Sequence, residues 1–111
     1  MNSENTKAQM RKGILEFCIL TIVSKGDTYS SDIIKEMKDA KLIIVEGTLY
    51  PLLTRLKNAG LLTYKWEEST LGPPRKYYRI TDDGISFLSD LVTTWDELVN
   101  SVNIINKTNL A

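Results

Sequence analysis

The stretch that most limits how this chain can fold begins with a short amphipathic helix. Residues 47–59 place leucine at the i, i+3, i+4 and i+7 spacing of one helical face, at Leu49, Leu52, Leu53 and Leu56. Gly60 follows as a helix stop, because glycine readily adopts the left-handed conformation that closes many helices. We expect the helix to start near Gly47 or Thr48, since Pro51 is tolerated only close to a helix N-terminus.

Two short runs rich in tyrosine, leucine, isoleucine and tryptophan come directly after this helix. They extend from Leu61 to Trp66 and from Arg75 to Thr81, and Gly72-Pro73-Pro74 lies between them. A helix cannot continue through the two prolines, so these three residues predict a rigid turn at the tip of a β-hairpin. A helix followed by such a hairpin is typical of a winged helix-turn-helix. The predicted fold class is therefore α+β and mostly helical.

The face of this helix opposite the leucines is polar and carries no carboxylate after Glu46. At about 100° per residue, it presents Gly47, Tyr50, Pro51, Thr54 and Asn58, flanked by Thr48, Arg55 and Lys57. Arginine, lysine, asparagine and threonine are side chains that hydrogen-bond phosphates and base edges. The alternative is an ordinary solvated helix face. The missing acids and the basic hairpin that follows favour nucleic acid.

A net charge of zero hides a strong segregation of charge along the chain. Residues 45–81 contain six cations and three acids, whereas residues 82–111 contain five acids and one cation. Such a distribution allows a local basic surface on a neutral protein. With 111 residues and 42% hydrophobic content, the chain predicts one globular domain.

Composition also excludes several kinds of function. Cys18 is the only cysteine, which excludes a disulfide framework, and the sequence has no histidine, no metal-ligand cluster and no phosphate-binding loop. We therefore expect no enzymatic activity, no cofactor and no metal. No apolar run reaches the length of a membrane span, and a reduced, cytoplasmic setting fits best.

The N-terminal part predicts two helices and a short strand. Thr6 and Gln9 form a capping box for a first helix that runs to about Ser24. Its apolar residues cover more than one stripe, so we expect its second side to meet another subunit. After a turn, a second helix is predicted from about Ser30 to Ala40. Leu42 to Val45 is expected to form a small strand that joins the hairpin.

A long amphipathic helix ends the chain. Thr81-Asp82-Asp83 supplies a hydroxyl and two carboxylates at its positive end, and it is predicted to run from Asp82 to about Asn106. Its apolar residues repeat at steps of three and four, at Leu88, Leu91, Val92, Trp95, Leu98, Val99, Val102 and Ile105. This seam predicts a coiled-coil-like dimer contact, and the alternative is that the helix folds back on the first helix of its own subunit. The predicted division is residues 1–81 for the winged helix-turn-helix and residues 82–111 for dimerisation.

Four runs of the sequence occur together in a recognisable order. They are LEFCIL from Leu15, IIKEM from Ile33, GTLYPLLTRLKNAGLL from Gly47 and RKYYRIT from Arg75. Together they resemble the PadR family of bacterial transcriptional regulators, over residues 7–95, and in particular its compact subgroup with one C-terminal helix. Two departures are Ser30-Ser31-Asp32, where many members have glycine-tyrosine-glutamate, and Val45, where a small capping residue is common.

The resemblance implies a winged-helix homodimer, usually a repressor, that binds a palindromic operator in double-stranded DNA. In that family the third helix enters the major groove, the wing touches the backbone or minor groove, and the terminal helix pairs with its mate. Carried over to this sequence, the DNA-binding residues are Tyr29, Ser31, Thr48, Tyr50, Thr54, Arg55, Lys57, Asn58, Arg75 and Lys76. A charged hairpin edge can also serve only to block aggregation. The alternative function is a winged-helix module that binds protein and not DNA.

Trp95 gives a second, separate hypothesis. In the middle of the dimer seam its two symmetry copies could line a cavity with Phe17. Some compact PadR members resemble this arrangement and bind flat aromatic or drug-like compounds, so a small aromatic effector is a candidate partner. The alternative is that Trp95 only packs the dimer core. The expected dimer interface comprises Leu88, Leu91, Val92, Trp95, Leu98, Val99 and Val102.

Overall fold

Five helices and a three-stranded antiparallel sheet make up the computed structural model, which describes residues 2–69 and 71–110, with side chains up to residue 107. The elements in chain order are α1 (Ser3–Lys12), α2 (Leu15–Ser24), β1 (Thr28–Tyr29), α3 (Ser30–Asp39), α4 (Glu46–Asn58), β2 (Leu62–Ser69), β3 (Gly72–Ile80) and α5 (Asp82–Leu110). The strand order is β1-β3-β2. This architecture confirms the predicted α+β, mostly helical class.

The core lies where α2, α3 and α4 meet one face of the sheet. Its buried members are Ile19, Leu20, Ile22, Val23, Ile33, Met37, Ile44, Leu49, Leu53, Leu56, Leu62 and Tyr78. Three of the four leucines predicted on one face of α4 are in this set, and Leu52 is half-buried. Burying one such side chain contributes about 1.5–3 kcal/mol, so the leucine row fixes which face of α4 points outward.

The predicted single helix from Thr6 to Ser24 is two helices, α1 and α2. The chain turns at Gly13, which is about 1 kcal/mol less favourable than alanine inside a helix. The polar sequence ends there and the apolar sequence that enters the core begins. The capping box predicted at Thr6 is also wrong, because Asn2 caps α1 and its Oδ1 accepts a hydrogen bond from the Glu4 N–H at 2.9 Å.

The third strand of the sheet is not where the sequence placed it. Residues 42–45 are irregular, and the strand that joins the hairpin is β1, which pairs with β3 through Thr28 opposite Tyr78 and Tyr29 opposite Tyr77. Ile44 is buried in the core while Ile43 and Val45 are 74% and 63% exposed. A buried side chain between two exposed ones gives the same alternating burial pattern as a β-strand, which explains the wrong prediction.

The hairpin formed by β2 and β3, called the wing below, is longer than predicted. Its strands pair from Leu62 opposite Ile80 to Ser69 opposite Gly72, with an irregularity between Glu67 and Ser69. The Gly72-Pro73-Pro74 run therefore lies in β3 and not at the tip. β1 pairs with β3 only at Tyr77 and Tyr78, so one edge of β3 is unpaired at residues 72–74. Proline is tolerated there because a backbone N–H on this edge would have no strand to donate to.

A tight joint connects the wing to α5. The Thr81 hydroxyl donates a hydrogen bond to the Gly60 carbonyl at 2.7 Å and accepts one from the Gly84 N–H at 3.0 Å, which confirms Thr81 as the cap of α5. Gly84 is buried so closely that a Cβ atom there would lie 2.1 Å from the Leu61 carbonyl oxygen. Within residues 2–69 and 71–110, no helix has both the length and the apolarity needed to cross a membrane.

The first turns of α5 pack against the domain. Leu88 and Leu91 contact the core and α5 runs beside α2, so the alternative of a helix that folds back on its own subunit holds for this part. From Val92 onward most apolar side chains of α5 are exposed. Leu98, Val102 and Ile105 are 55%, 51% and 75% exposed. The second half of α5 therefore carries an apolar face that its own subunit does not cover.

Candidate nucleic-acid interface

Helix α4 presents the outer face that its sequence predicts. Gly47, Thr48, Tyr50, Pro51, Thr54, Arg55, Lys57 and Asn58 are all exposed. The helix begins at Glu46, one residue before the predicted start, and Pro51 lies inside it. Glu46 is its only acid and occupies the first turn, where a carboxylate stabilises the positive end of the helix dipole. The rest of the outer face offers only hydroxyl, amide and cationic groups.

A cleft of about 400 Å³ lies between the start of α4, the start of α3 and the wing. Five of the residues predicted to bind DNA line it: Tyr29, Ser31, Tyr50, Arg75 and Lys76. Its other lining residues are Ser30, Glu46, Trp66, Pro74 and Tyr78. Residues that are far apart in sequence thus share one surface.

A smaller cleft of about 100 Å³ continues along the other half of α4. Thr54, Lys57 and Asn58 line it together with Lys76 of the wing. Lys76 therefore borders both clefts. The remaining two predicted residues, Thr48 and Arg55, lie on the opposite flank of α4.

Aromatic rings of the wing contact two lysine side chains, one from the wing and one from α4. The Lys76 Nζ lies 4.5 Å from the ring centroid of Tyr64 and 5.4 Å from that of Trp66. The Lys57 Nζ approaches the same Tyr64 ring at 5.8 Å. Cation–π contacts of this kind contribute about 0.5–1 kcal/mol at exposed sites. They direct both ammonium groups towards the space between α4 and the wing.

Tyr29 connects the start of α3 to the wing. Its hydroxyl donates a hydrogen bond to the Glu67 Oε2 at 2.9 Å, and its ring centroid is 4.5 Å from that of Tyr77. The Arg75 guanidinium lies 5.3 Å from the Tyr29 ring centroid. The hydrogen bond to Glu67 raises the pKa of Tyr29 above its usual value. Because Glu67 engages its hydroxyl, Tyr29 is better placed to position Arg75 than to bind phosphate directly.

The N-terminus of α3 is already partly occupied. The Asp32 Oδ2 accepts a hydrogen bond from the Tyr29 N–H at 3.3 Å, and the Ser30 Oγ lies 3.0 Å from the Tyr50 hydroxyl oxygen. Ser31 is exposed beside them. The Asp32 carboxylate supplies negative charge at the helix end that a phosphate would also seek, so Ser31 and the Tyr50 hydroxyl are the groups left for such a contact.

The two flanks of α4 differ in whether their cations form ion pairs. On the flank that faces α2, the Arg55 Nη1 lies 3.3 Å from the Glu16 Oε1, with Arg55 74% exposed. Exposed pairs of this kind contribute little, at about 0–1 kcal/mol. On the wing side, Lys57, Arg75 and Lys76 form no ion pair with any carboxylate in the described part of the chain. The wing flank is therefore a basic surface whose three cations are not engaged in ion pairs within the described residues.

Comparison with known proteins identifies the family. The sequence model of the transcriptional regulator PadR-like family matches residues 19–90, which include the second half of α2, all of α3, α4 and the wing, and the start of α5. The chain belongs to the PadR family. This membership confirms the expected resemblance, and because the family consists of transcriptional regulators, it also confirms the expectation that the chain is not an enzyme.

Solved structures of PadR proteins resemble this chain over most of its length. A PadR-like transcription factor from Bacteroides fragilis is 60% identical, with a TM-score of 0.78 over 91% of this chain and 98% of that one. A PadR family regulator from Eggerthella lenta is 31% identical, with a TM-score of 0.87 over 96% of this chain and 93% of that one. Bacillus subtilis PadR, solved in complex with operator DNA, is 26% identical, with a TM-score of 0.66 over 71% of this chain and 47% of that one.

The two aromatic residues singled out for ligand binding in this PadR chain contact each other within one subunit. The ring centroids of Phe17 and Trp95 are 6.2 Å apart and Trp95 is 40% exposed. On the other side of Phe17, an apolar groove of about 280 Å³ runs between α2 and α3 past Cys18 and Met37. Partial burial raises the pKa of the Cys18 thiol, which disfavours its nucleophilic thiolate form. No group of three metal-ligating side chains occurs in the described ranges.

Sequence reasoning missed the aromatic residues that line the PadR clefts. Tyr64 and Trp66 are alternate residues of β2, and their cross-strand partners in β3 are Tyr78 and Lys76, respectively. Alternate residues of a strand share one face, so the period of two contained this information. To use it, however, one needs to know which residues of the two strands pair. The prediction of a turn at Gly72-Pro73-Pro74 gave the wrong pairing.

Proposed function

We propose that this PadR chain is a homodimeric repressor that binds a palindromic operator through α4 and the wing. The observation that carries the proposal is the outer face of α4, which has one acid in its first turn and is flanked by wing cations that pair with no carboxylate among the described residues. The operator complex of Bacillus subtilis PadR supports it by homology. A regulator that acts on bacterial chromosomal DNA works in the cytoplasm.

Thr54, Asn58 and Arg55 are assigned to the base edges of the major groove. Thr54 and Asn58 lie one turn apart in the middle of the exposed face, where a helix in the groove comes closest to the bases. Arg55 would exchange its partly buried partner Glu16 for a base or a phosphate.

The backbone contacts are assigned to residues on either side of that face. Thr48, Tyr50 and Lys57 lie on the flanks of α4, and Arg75 and Lys76 extend from the wing. Such contacts position the protein on DNA without reading sequence.

Dimerisation is assigned to α5, within residues 82–111. Leu88 and Leu91 pack against their own subunit. The seam between subunits would therefore consist of the residues beyond them, Val92, Trp95, Leu98, Val99 and Val102. A regular apolar stripe over several turns is what a second copy of the same helix covers in a coiled coil. The two copies of α4 would then meet successive turns of the duplex, about 34 Å apart.

Release by a small aromatic effector is the final part of the proposal. Phe17 and Trp95 form a partly open aromatic pair close to the proposed seam. A planar dye titrated into a Trp66→Phe variant, which leaves Trp95 as the only tryptophan, should quench its fluorescence. Unchanged fluorescence at saturating dye would reject an effector site and leave Trp95 as dimer packing.

A selection from random duplex DNA tests the DNA-binding function. The wild-type protein is expected to enrich an inverted repeat, and the enriched operator duplex should bind more tightly than a scrambled one in fluorescence anisotropy. The affinity should fall steeply with salt, because each neutralised phosphate adds about −0.9 to the slope of log affinity against log salt. Absence of binding to any duplex at low salt would instead support a module that binds protein.

A further inference from the structure

Helix α1 is mostly polar and contributes no buried residue to the core. Within the described chain none of its residues is buried. Lys7 pairs with Glu4 at 3.5 Å, whereas Arg11 and Lys12 are exposed and form no ion pair with the described residues. A surface helix normally buries one apolar stripe, and a helix without one needs another reason for its position.

Arg11 and Lys12 lie beside the start of α4. Together with Thr48 they line a cleft of about 210 Å³. The rest of the cleft is formed by Ala8, Leu15 and the irregular segment of residues 42–45. The end of α1 is thus placed next to the flank of α4 that faces away from the wing.

The geometry of a major groove explains why cations on this flank matter. The groove is about 12 Å wide and an α-helix with its side chains is about 10–12 Å across, so a helix in the groove has a sugar-phosphate backbone on each side. On the wing side of α4 those phosphates would meet Lys57, Arg75 and Lys76. On the other side, α4 itself supplies only Thr48 and Arg55, and Arg55 faces Glu16.

We propose that Arg11 and Lys12 of α1 bind the DNA backbone on the side of α4 opposite the wing. This inference rests on the proposed function and extends it: the duplex is held from two sides, by the wing and by α1. An alternative role for these two cations is to stabilise the negative end of α1, since they lie in its last turn. That role explains their position in the sequence, but it does not explain why they share a cleft with α4. The contacts are to phosphate and read no bases.

Charge removal at α1 tests the inference. The variants are Arg11→Gln, Lys12→Gln and the double variant, with Lys38→Gln on the exposed side of α3 as the matched control. Affinity for the selected operator and for a scrambled duplex is measured by fluorescence anisotropy between about 50 and about 200 mM salt. Oligomeric state and melting temperature are measured on the same samples.

The double variant is expected to bind roughly tenfold more weakly at low salt, by the same factor on both duplexes, and to reduce the salt slope by about two units. Each single variant should remove about one unit, and Lys38→Gln should change neither quantity. Oligomeric state and melting temperature should match those of the wild-type protein.

Three results would overturn the inference. They are an unchanged salt slope in the double variant, a loss confined to the operator duplex, and a loss accompanied by dissociation of the dimer. If the wild-type protein binds DNA and a Thr54→Ala/Asn58→Ala variant loses its sequence preference while the α1 variant binds normally, only the role of α1 fails. If the wild-type protein binds no duplex, the proposed function fails as well.

Discussion

The helix-and-wing surface and the second half of α5 have opposite surface chemistry. On α4 and the wing, apolar side chains point into the core and the exposed side chains include Arg75, Lys57 and Asn58. On α5 beyond Val92, the exposed side chains include the apolar Trp95, Leu98 and Val102, and the neighbouring charges are acids such as Asp96. The first surface suits a polyanion such as DNA, and the second is the one that we propose to pair with a second copy of the chain. Residues 45–81 and residues 82–111 carry net charges of opposite sign, which largely cancel in the neutral total of the chain.

The joint between the two regions determines how they act together. Gly60 ends α4, Thr81 bonds to the Gly60 carbonyl, and Gly84 packs against the Leu61 carbonyl. The residues that directly follow α4 are therefore in contact with the first turn of α5. This contact joins the helix assigned to DNA to the helix assigned to dimerisation. This contact would let α5 set the spacing of the two DNA-binding surfaces in a dimer.

Breaking the joint should have the largest effect. In Gly84→Ala the new methyl group would lie 2.1 Å from the Leu61 carbonyl oxygen and 2.7 Å from the Ile80 Cγ1. We expect a loss of about 3 kcal/mol in the free energy of unfolding, because neither the backbone carbonyl nor the packed, partly buried isoleucine can move away cheaply. Urea unfolding at a fixed protein concentration measures it.

Gly47→Ala is the matched control for this change. Gly47 lies on the exposed face of α4 and no atom is within 4 Å of its added Cβ. Alanine should stabilise that helix by about 0.5–1 kcal/mol. Equal effects of the two substitutions would show that Gly84 is not a close contact.

A charge in the apolar region of α5 separates its role from that of the wing. Leu98→Glu places a carboxylate on the exposed seam, and in a dimer two such charges meet. We expect dimerisation to weaken by about 2 kcal/mol, roughly a 30-fold increase in the dissociation constant. Sedimentation equilibrium measures this, and Asn100→Glu on the same helix is the control. If both variants dissociate, or if neither does, the claim that Leu98 lies in the dimer seam and Asn100 on the solvated face is contradicted.

The two faces of the wing allow a smaller test. Lys76 borders both clefts beside α4, whereas Lys65 points to the other side of β2, 3.9 Å from Glu67. Lys76→Gln should reduce the salt slope of DNA binding by about one unit, and Lys65→Gln should leave it unchanged. The slope is read from anisotropy titrations at several salt concentrations. A larger effect from Lys65 than from Lys76 would contradict the assignment of Lys76 to the DNA backbone.

The smallest effect is expected from an ion pair outside both surfaces. Arg79 donates two hydrogen bonds to the Asp27 carboxylate, at 2.9 and 2.6 Å, and the pKa of Asp27 is held below its usual value by them. A carboxyl group with a lowered pKa stabilises the fold above its unfolded-state pKa, and that contribution disappears as the pH falls through its folded-state pKa. Asp27→Asn should therefore flatten the acid limb of a pH–melting curve. An unchanged acid limb would contradict the pairing.

Local sequence patterns predicted the parts of this fold that depend on nearest neighbours along the chain. The leucine spacing of α4 and the Thr81 cap of α5 are of this kind, because a helical face and a cap involve residues three or four positions apart. The strand at Thr28–Tyr29 was not predicted, since two residues are too short for a period and its pairing with β3 is a long-range contact. The break at Gly13 was missed for a related reason, because it depends on α1 having no core to pack against.

The candidate site divides in the same way. The exposed residues of α4 followed from helical geometry, whereas the clefts depend on the hairpin register that brings Lys76 beside Trp66. The contact of Tyr29 with Glu67 spans 38 positions and no local pattern contains it.

The sequence preference of a Thr54→Ala/Asn58→Ala variant tests the central claim most directly. Anisotropy titrations compare its affinity for the selected operator with that for a scrambled duplex, beside the wild-type protein. Good base contacts are worth about 1–3 kcal/mol each, so the variant should lose roughly 100-fold of the preference while its binding to the scrambled duplex stays the same. A variant that keeps the wild-type preference would contradict the claim that α4 reads the operator.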